Sequence, residues 1–401
     1  MQSFPLDHIR QALDRFVAWL DRYGETSYDF QSVYAGTLGR LAKKTYYRNP
    51  LLGAIAVAPM VLCESLAPSA RRLFWMRQRF PIADAHYAMG FAFLSRASGD
   101  EAHYGRALHF LDVLKETRCP GYERDGWGYP FDWETQQGTI TSGTPLITTL
   151  PYVYEAFREV YVVDNDEQWR DVMRSIAQHA LQDYRDVETP TGSAMCTYTP
   201  SPADPAGVVN ASAYRAFLLT RAAVDLSEPK YGEVATRNLQ FVLDCQNADG
   251  SWYYSVDGRR DFIDHFHTCF VLKALAKIER LTADPRCTAA LERGLAYYVR
   301  HLFDDQMLPK PFSKAPRLTT YRRELYDYAE CLNLAALLRG RFPEVDAILL
   351  TVLHDVLGRW QKPDGSFRSR QLFFGWDNVP MHRWAQSQLF RSLSLLLLTA
   401  S

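Results

Sequence analysis

The run Asp264-His265-Phe266-His267-Thr268 places two imidazoles and a carboxylate within a few residues of one another. Histidine ionises close to neutrality, so either ring can take or give a proton, and a neighbouring carboxylate can fix its tautomer and orientation. A spacing of two puts His265 and His267 on different faces of a helix. Zinc-binding helices place such a pair four apart. The pattern therefore suits acid–base chemistry at one of the two rings, with no metal and no cofactor, while either ring taken alone could equally be a structural histidine that satisfies a backbone carbonyl.

A second cluster, DGWGYPFDWETQQG, begins at Asp125. Trp127, Tyr129 and Trp133 offer flat apolar faces, and Asp132 and Glu134 offer carboxylates. Aromatic faces beside carboxylates suit a sugar, whose C–H bonds pack on a ring while its hydroxyls take hydrogen bonds. Tyr253, in DGSWYY, extends this aromatic set. The expected partner is a polysaccharide or oligosaccharide.

Besides the Asp264–Thr268 run, polar residues occur near the starts of otherwise apolar helices: Asp84 and His86, Thr144 and Thr148, Asn210 and Ser212, and Tyr328 and Glu330 with their neighbours Tyr326 and Asp327. Arg383 and Trp384 stand near the last of these starts. A buried polar group without a partner costs about 1–3 kcal/mol, so such residues at one end of six helices predict a wet central cavity. Asp84 and Asp264 could equally be helix caps.

Two chemistries fit these residues. Hydrolysis needs two carboxylates flanking a glycosidic bond, and Asp132 with Asp264 or Glu330 could supply them. Proton abstraction from a uronic acid, as in a lyase or an epimerase, would use His265 or His267 with Tyr328 as base and acid. Asn210 or Arg383 would then stabilise the developing charge. The second fits better, because histidine, tyrosine, asparagine and arginine outnumber paired acids. A glycan-binding or assembly protein without catalysis, built on the same residues, is a further alternative.

Positioning these groups requires a repeated scaffold, and the sequence carries one of about sixty residues. Amphipathic helices begin near Gly99, Asn165, Ser227, Ala283 and Phe342, between 56 and 66 residues apart. Each runs into a glycine- or aspartate-rich loop, and each loop leads to a more hydrophobic helix. Six such apolar helices start near 82, 146, 208, 262, 325 and 379. Helices apolar all round belong inside and helices with one polar stripe outside. The expectation is an all-α (α/α)6 barrel, or toroid, of helical hairpins, forming one domain over residues 1–401. An N-terminal pair of helices would supply the outer partner of the first inner helix. Strand signals are confined to short aromatic stretches such as Trp252 to Ser255. QNADGSWYY at 246–254 and QKPDGSF at 361–367 mark equivalent stations of this repeat.

Composition removes other classes. The 401 residues are 47% hydrophobic and 23% charged, with a formal net charge of −1, so no basic excess points to nucleic acid. The seven cysteines are scattered and form no CxxC pair, which predicts reduced thiols in a cytoplasmic setting. The N-terminal MQSFPLDHIRQALDRFVAWLDRYG, interrupted by Asp7, Arg10, Asp14 and Arg15, predicts an amphipathic helix rather than a signal peptide. The apolar run from Leu51 to Leu62 contains Pro59 and is too short to cross a bilayer. GWG lacks the spacing of a dinucleotide site, and neither GxxxxGK[ST] nor GxSxG occurs.

QNADGSW resembles the QW motif of triterpene cyclases, and the expected toroid is similar to those of the terpenoid cyclases and protein prenyltransferases. The DxDD cluster with which those cyclases protonate substrate does not occur here. A longer resemblance, from about Phe80 to Ser394, is to the VpsJ-like polysaccharide-biosynthesis proteins of bacterial exopolysaccharide gene clusters. It rests on RFPIADAHYAM, CPGYERDGWGYPFDW, CTYTP, VNAS, DGSWYY, DHFHT and DNVPMHRWAQSQLF. His382 departs from it, standing where a tyrosine is expected, which discounts His382 as a catalytic residue. The resemblance implies an (α/α) toroid that makes or tailors an extracellular polysaccharide in association with the synthesis machinery.

Overall fold

Two kinds of helix alternate along the chain, and their burial follows from their side chains. In LYDYAECLNLAALL nearly every residue is buried, whereas QWRDVMRSIAQHALQ buries one stripe containing Trp169, Met173, Ile176, Ala177 and Ala180. The computed structural model describes residues 4–400; Met1–Ser3 of the expected N-terminal helix lie outside this range. Outer helix α1 spans Leu6–Tyr23. An excursion follows, made of α2 (Ser32–Ala35), α3 (Thr37–Arg48) and α4 (Pro50–Leu66). Inner and outer helices then alternate: α5 (Pro81–Ser98), α6 (Glu101–Glu116), α7 (Leu150–Asp164), α8 (Gln168–Gln182), α9 (Val209–Asp225) and α10 (Lys230–Asp244). The series continues with α11 (His265–Thr282), α12 (Pro285–His301), α13 (Leu325–Leu338), α14 (Pro343–Asp355) and α15 (Ser387–Ala400).

The inner helices α5, α7, α9, α11, α13 and α15 each pack on the next, and α15 packs on α5, so the ring closes. Each outer helix packs on the inner helix before it. The fold is an (α/α)6 barrel. One expectation is corrected: α1 packs on α15, the last inner helix, and not on the first. The first helix of the chain thus fills the outer position after α14.

The two repeat stations show why. Gln246 Nε2 donates to the carbonyls of Gly250 and Ala290, the latter on α12. Gln361 Nε2 donates to those of Gly365 and Ala12, the latter on α1. Gly250 (φ +92°) and Gly365 (φ +99°) lie so close to the next outer helix that a Cβ would sit 2.3 Å from the Arg293 carbonyl oxygen and 2.2 Å from that of Arg15. Trp252 is buried and donates its indole N–H to Val242 O at 2.9 Å. The glutamine, glycine and tryptophan of these stretches lock neighbouring hairpins together. Gly250→Ala will destabilise the protein by about 2–4 kcal/mol in urea unfolding, since a left-handed backbone and an overpacked contact add. Gly192→Ala (φ +80°, nothing within 4 Å of its Cβ) will show only the backbone part.

Inner-to-outer turns are tight, and outer-to-inner connections are long and gather at one mouth. Short antiparallel pairings stiffen them, including Trp133–Thr135 with Gly138–Ile140 and Ile263–Asp264 with Phe312–Lys314. Tyr321–Glu324, Arg370–Leu372 and Trp376–Asp377 form a three-stranded sheet. Trp252 to Ser255, expected as a strand, makes only an isolated bridge from Ser255 to Val208. The excursion α2–α4 stands at the same mouth: Asp29 and Phe30, just before it, meet Arg383 and Trp384. Arg40 of α3 pairs with Asp132 and Glu134. A buried cluster in which Arg71 and Arg370 each pair with Glu64 and Asp377 fastens the end of α4 to the three-stranded sheet.

Candidate active site at the barrel mouth

Asp264 ends a short strand and caps α11, its Oδ1 accepting the His267 backbone N–H at 2.9 Å. Its other oxygen accepts from His267 Nδ1 at 2.6 Å. Cap and orienter are therefore the same carboxylate, and the two alternatives left open by the sequence both hold. With Nδ1–H committed, His267 Nε2 is the basic atom; it has no protein partner, and the side chain is 23% exposed. The ring stands edge-on to Tyr254, with centroids 4.6 Å apart. This is the arrangement of an oriented general base.

Around it the mouth loops bring together aromatic side chains distant in sequence. Tyr326 and Trp384 stack at 4.5 Å, with Phe266 against both. Trp133 lies between Tyr129 and Tyr198. Burial drives the Tyr198 phenol far above its ordinary pKa, the phenols of Tyr129 and Tyr254 add to this, and the Arg383 guanidinium opposes it. Burial also pushes Tyr254 up to about 12, so it stays a proton donor. Arg383 pairs with Asp29 and donates to Tyr129 Oη at 3.1 Å.

Two further acids stand beside Asp264: Glu324, which the sequence does not single out, and Asp327, which it marks only as a polar residue near a helix start. Burial raises Glu324 to about 7, with Arg370 opposing and Asp264 contributing. Asp327 is raised far above the carboxylate range by burial, then by Glu324 and Asp264, and neither of its oxygens has a hydrogen-bond partner. Across the mouth, Lys43 of α3 falls to about 7, through burial and then repulsion from Arg317. The Glu324 shift fixes the sign of a pH effect. A folded-state pKa above the ordinary value of 4.5 means that the folded form holds the extra proton between about 4.5 and 7, so stability falls as pH rises through that window. Glu324→Gln removes this slope, and urea titrations of both proteins from pH 4 to 8 will show the variant gaining on the wild type.

Several expected site residues lie elsewhere. His265 faces the barrel wall, where Nδ1 donates to Leu302 O at 3.1 Å and Nε2 accepts from Tyr298 Oη at 2.7 Å. Burial lowers it to about 3, so it is a neutral structural histidine. Tyr328 packs on Trp360, between α13 and its outer neighbour. Trp127 is fully buried and donates to Leu114 O, as Trp252 does in its own repeat. Asp132 is tied to Arg40 and to the Ser142 N–H, so it is not a free acid. Tyr253 stands outward on the rim under Lys314. Asn210 is buried at the start of α9 with its carboxamide oxygen unpartnered. His382 is structural, between Tyr87 Oη and Gly24 O.

Glu330 lies in the barrel centre, bonded to Lys273 and Arg391. Tyr152 and Tyr214, hydrogen-bonded at 2.6 Å, lie close by, with Lys273 and Arg391 over the Tyr152 ring. Glu330, Lys273 and Arg391 are thus paired at this level, whereas His86, edge-on to Tyr152 at 4.5 Å, has both ring nitrogens unpartnered, as has Nε of Arg391. Asp84 is inside the first turn of α5 and pairs with Arg79 rather than capping. A cleft of about 490 Å³ between α11 and α13 is at the opposite end of the barrel from His267. Among the described residues no cluster could hold a metal ion and no helix is long and apolar enough to cross a membrane.

No protein-family model and no curated protein matches this sequence. Solved structures do match in fold. A cellobiose 2-epimerase from Bacillus thermoamylovorans superposes with a TM-score of 0.63 at 9% identity, covering 80% of this chain and 87% of that one. A GH76 α-mannanase from Bacteroides thetaiotaomicron gives 0.60 at 9% identity, covering 89% and 95%. A polysaccharide lyase gives 0.55 at 11%, covering 84% and 95%. These neighbours are carbohydrate-active enzymes of three reaction types on one barrel.

Proposed function

We propose that the chain is a carbohydrate-active enzyme that abstracts a proton from a uronic acid residue of a polysaccharide or oligosaccharide, as a lyase or an epimerase does. The observation that carries this reading is His267, its Nδ1 held by Asp264 and its Nε2 turned to an aromatic-lined mouth. His267 Nε2 takes the proton α to the carboxylate, and the C–H electron pair moves into the enolate. Lys43, Arg317 and Arg383, gathered at the mouth, suit the negative charge of that carboxylate. Tyr254 takes the donor role first considered for Tyr328. In a lyase the C4–O bond breaks, its oxygen accepts the donor's proton, and a C4=C5 double bond forms. In an epimerase the donor returns a proton to the opposite face. The motifs shared with exopolysaccharide-cluster proteins support a substrate made in exopolysaccharide or capsule synthesis.

The acids Asp264, Glu324 and Asp327 favour a second reading, hydrolysis of a glycosidic bond, in which a carboxyl kept protonated serves as general acid. One assay separates the readings. Purified protein is incubated in D2O with acidic and neutral polysaccharides, following unsaturated-uronate absorbance, reducing ends and solvent deuterium at C5. Absorbance or C5 deuterium supports proton abstraction. Reducing ends with neither would overturn it in favour of hydrolysis.

A further inference from the structure

The excursion α2–α4 has a surface unlike the rest of the molecule. Among the described residues, ten of the nineteen large hydrophobic residues that are exposed fall between Leu38 and Met76. On α4 the outward residues Leu52, Ile55, Pro59, Leu62 and Leu66 follow helical spacing and form one apolar stripe, with Ile55 73% exposed. The opposite face packs Met60 against Val33 and Ala42, and Gly53 brings the α4 backbone against Tyr46 of α3. The stripe is therefore the outside of a folded hairpin. It is continued by α3, which exposes Leu38 and Leu41. The neighbouring mouth loops add Leu318, 95% exposed, and the turn residues Phe373 and Phe374.

Charge identifies the occupant. Residues 30–83 contain eight arginines and lysines and one acid; Arg40, Lys44, Arg71 and Arg79 are ion-paired, which leaves Lys43, Arg48, Arg72 and Arg77 without an ion pair among the described residues. That acid, Glu64, is buried between Arg71 and Arg370. Arg48 and Arg72 are exposed near the two ends of the α4 stripe, and Arg317 and Arg322 are exposed on the adjoining loop. An apolar stripe flanked by uncompensated cations matches a surface that is apolar within and negative at its boundary. A second copy of this chain would set these cations against each other.

We propose that the α3–α4 hairpin docks the barrel on an anionic phospholipid membrane, lying in the interface without crossing it. The proposal stands on the exposed face alone and is independent of the chemistry assigned to His267. Its consequence is that the mouth, which the hairpin borders, is held beside the bilayer surface, where a membrane-borne glycan would be presented.

The test is co-sedimentation of the full-length protein with phosphatidylglycerol-containing vesicles and with pure phosphatidylcholine vesicles, at low and high salt. Binding to the anionic vesicles is expected to be about tenfold or more tighter, and to weaken with salt. Leu52→Glu/Ile55→Glu/Leu62→Glu will abolish it with unchanged circular dichroism, and Arg48→Gln/Arg72→Gln will reduce the anionic preference. These stripe substitutions fall on solvent-facing positions, so the variant remains folded. Absence of wild-type binding at millimolar anionic lipid, equal binding by the stripe variant, or dimerisation in ultracentrifugation without vesicle binding would each overturn the proposal.

Discussion

His267→Gln will lower turnover of a uronate-containing glycan by about 10²–10⁴-fold, the usual contribution of a positioned general base. Glutamine keeps polarity and approximate size but cannot accept a proton at this pH. The ring makes one hydrogen bond within the protein, to Asp264, and is partly exposed, so the melting temperature will stay within a few degrees. KM will change little if the substrate is held chiefly by the aromatic walls. Asp264→Asn will give a smaller loss of kcat, because the imidazole loses its tautomer and orientation. It will also cost about 1 kcal/mol of stability, since the same carboxylate caps α11. His265→Gln should show the reverse pattern: its nitrogens bind Leu302 and Tyr298, so stability falls and chemistry per folded molecule survives. Unchanged kcat in His267→Gln would remove the site assignment.

The second large effect is in the barrel centre. Glu330→Ala leaves Lys273 and Arg391 facing each other without their shared carboxylate, and loss of one side of a buried ion cluster typically costs about 3–5 kcal/mol. Lys273 is already lowered to about 8 by burial, with Glu330 opposing that shift. Without Glu330 it falls further, so the folded variant holds fewer protons than the unfolded chain below the ordinary lysine value. The stability of Glu330→Ala relative to wild type will therefore recover as pH rises to about 8, above which Lys273 is neutral in both folded proteins and the two curves run parallel to 10. Urea unfolding across that range measures both the loss and its pH dependence.

The six inner helices were legible because residues such as those of α13 are apolar all round, a pattern that only a position inside the ring satisfies. The position of α1 was not, because a circular repeat looks the same from either neighbour; Gln361 and Gly365 reveal it only through contacts with Ala12 and Arg15. In the site, His265 and His267 are chemically alike in sequence. A turn of about 200° between them sends one into the wall and the other to the mouth. Glu324 carries no local signal and Asp327 only that of a polar residue on an apolar helix, since their raised pKa values depend on burial and on Asp264, some sixty residues earlier. In sequence the Leu51–Leu62 run reads only as too short to span a membrane, and which of its residues face outward follows only from the packing of α3 against α4.

The seam between α1 and α15 also governs how the molecule is made. Helix α1, the first of the ring to be made, has its buried face, Phe16 among it, completed by Phe390 of α15, the last. Until α15 emerges, the ring lacks its closing piece and α1 lacks most of its cover. Synthesis therefore passes through an open crescent that closes only once α15 is made, and α1 is the element that a nascent chain most needs to keep from aggregation.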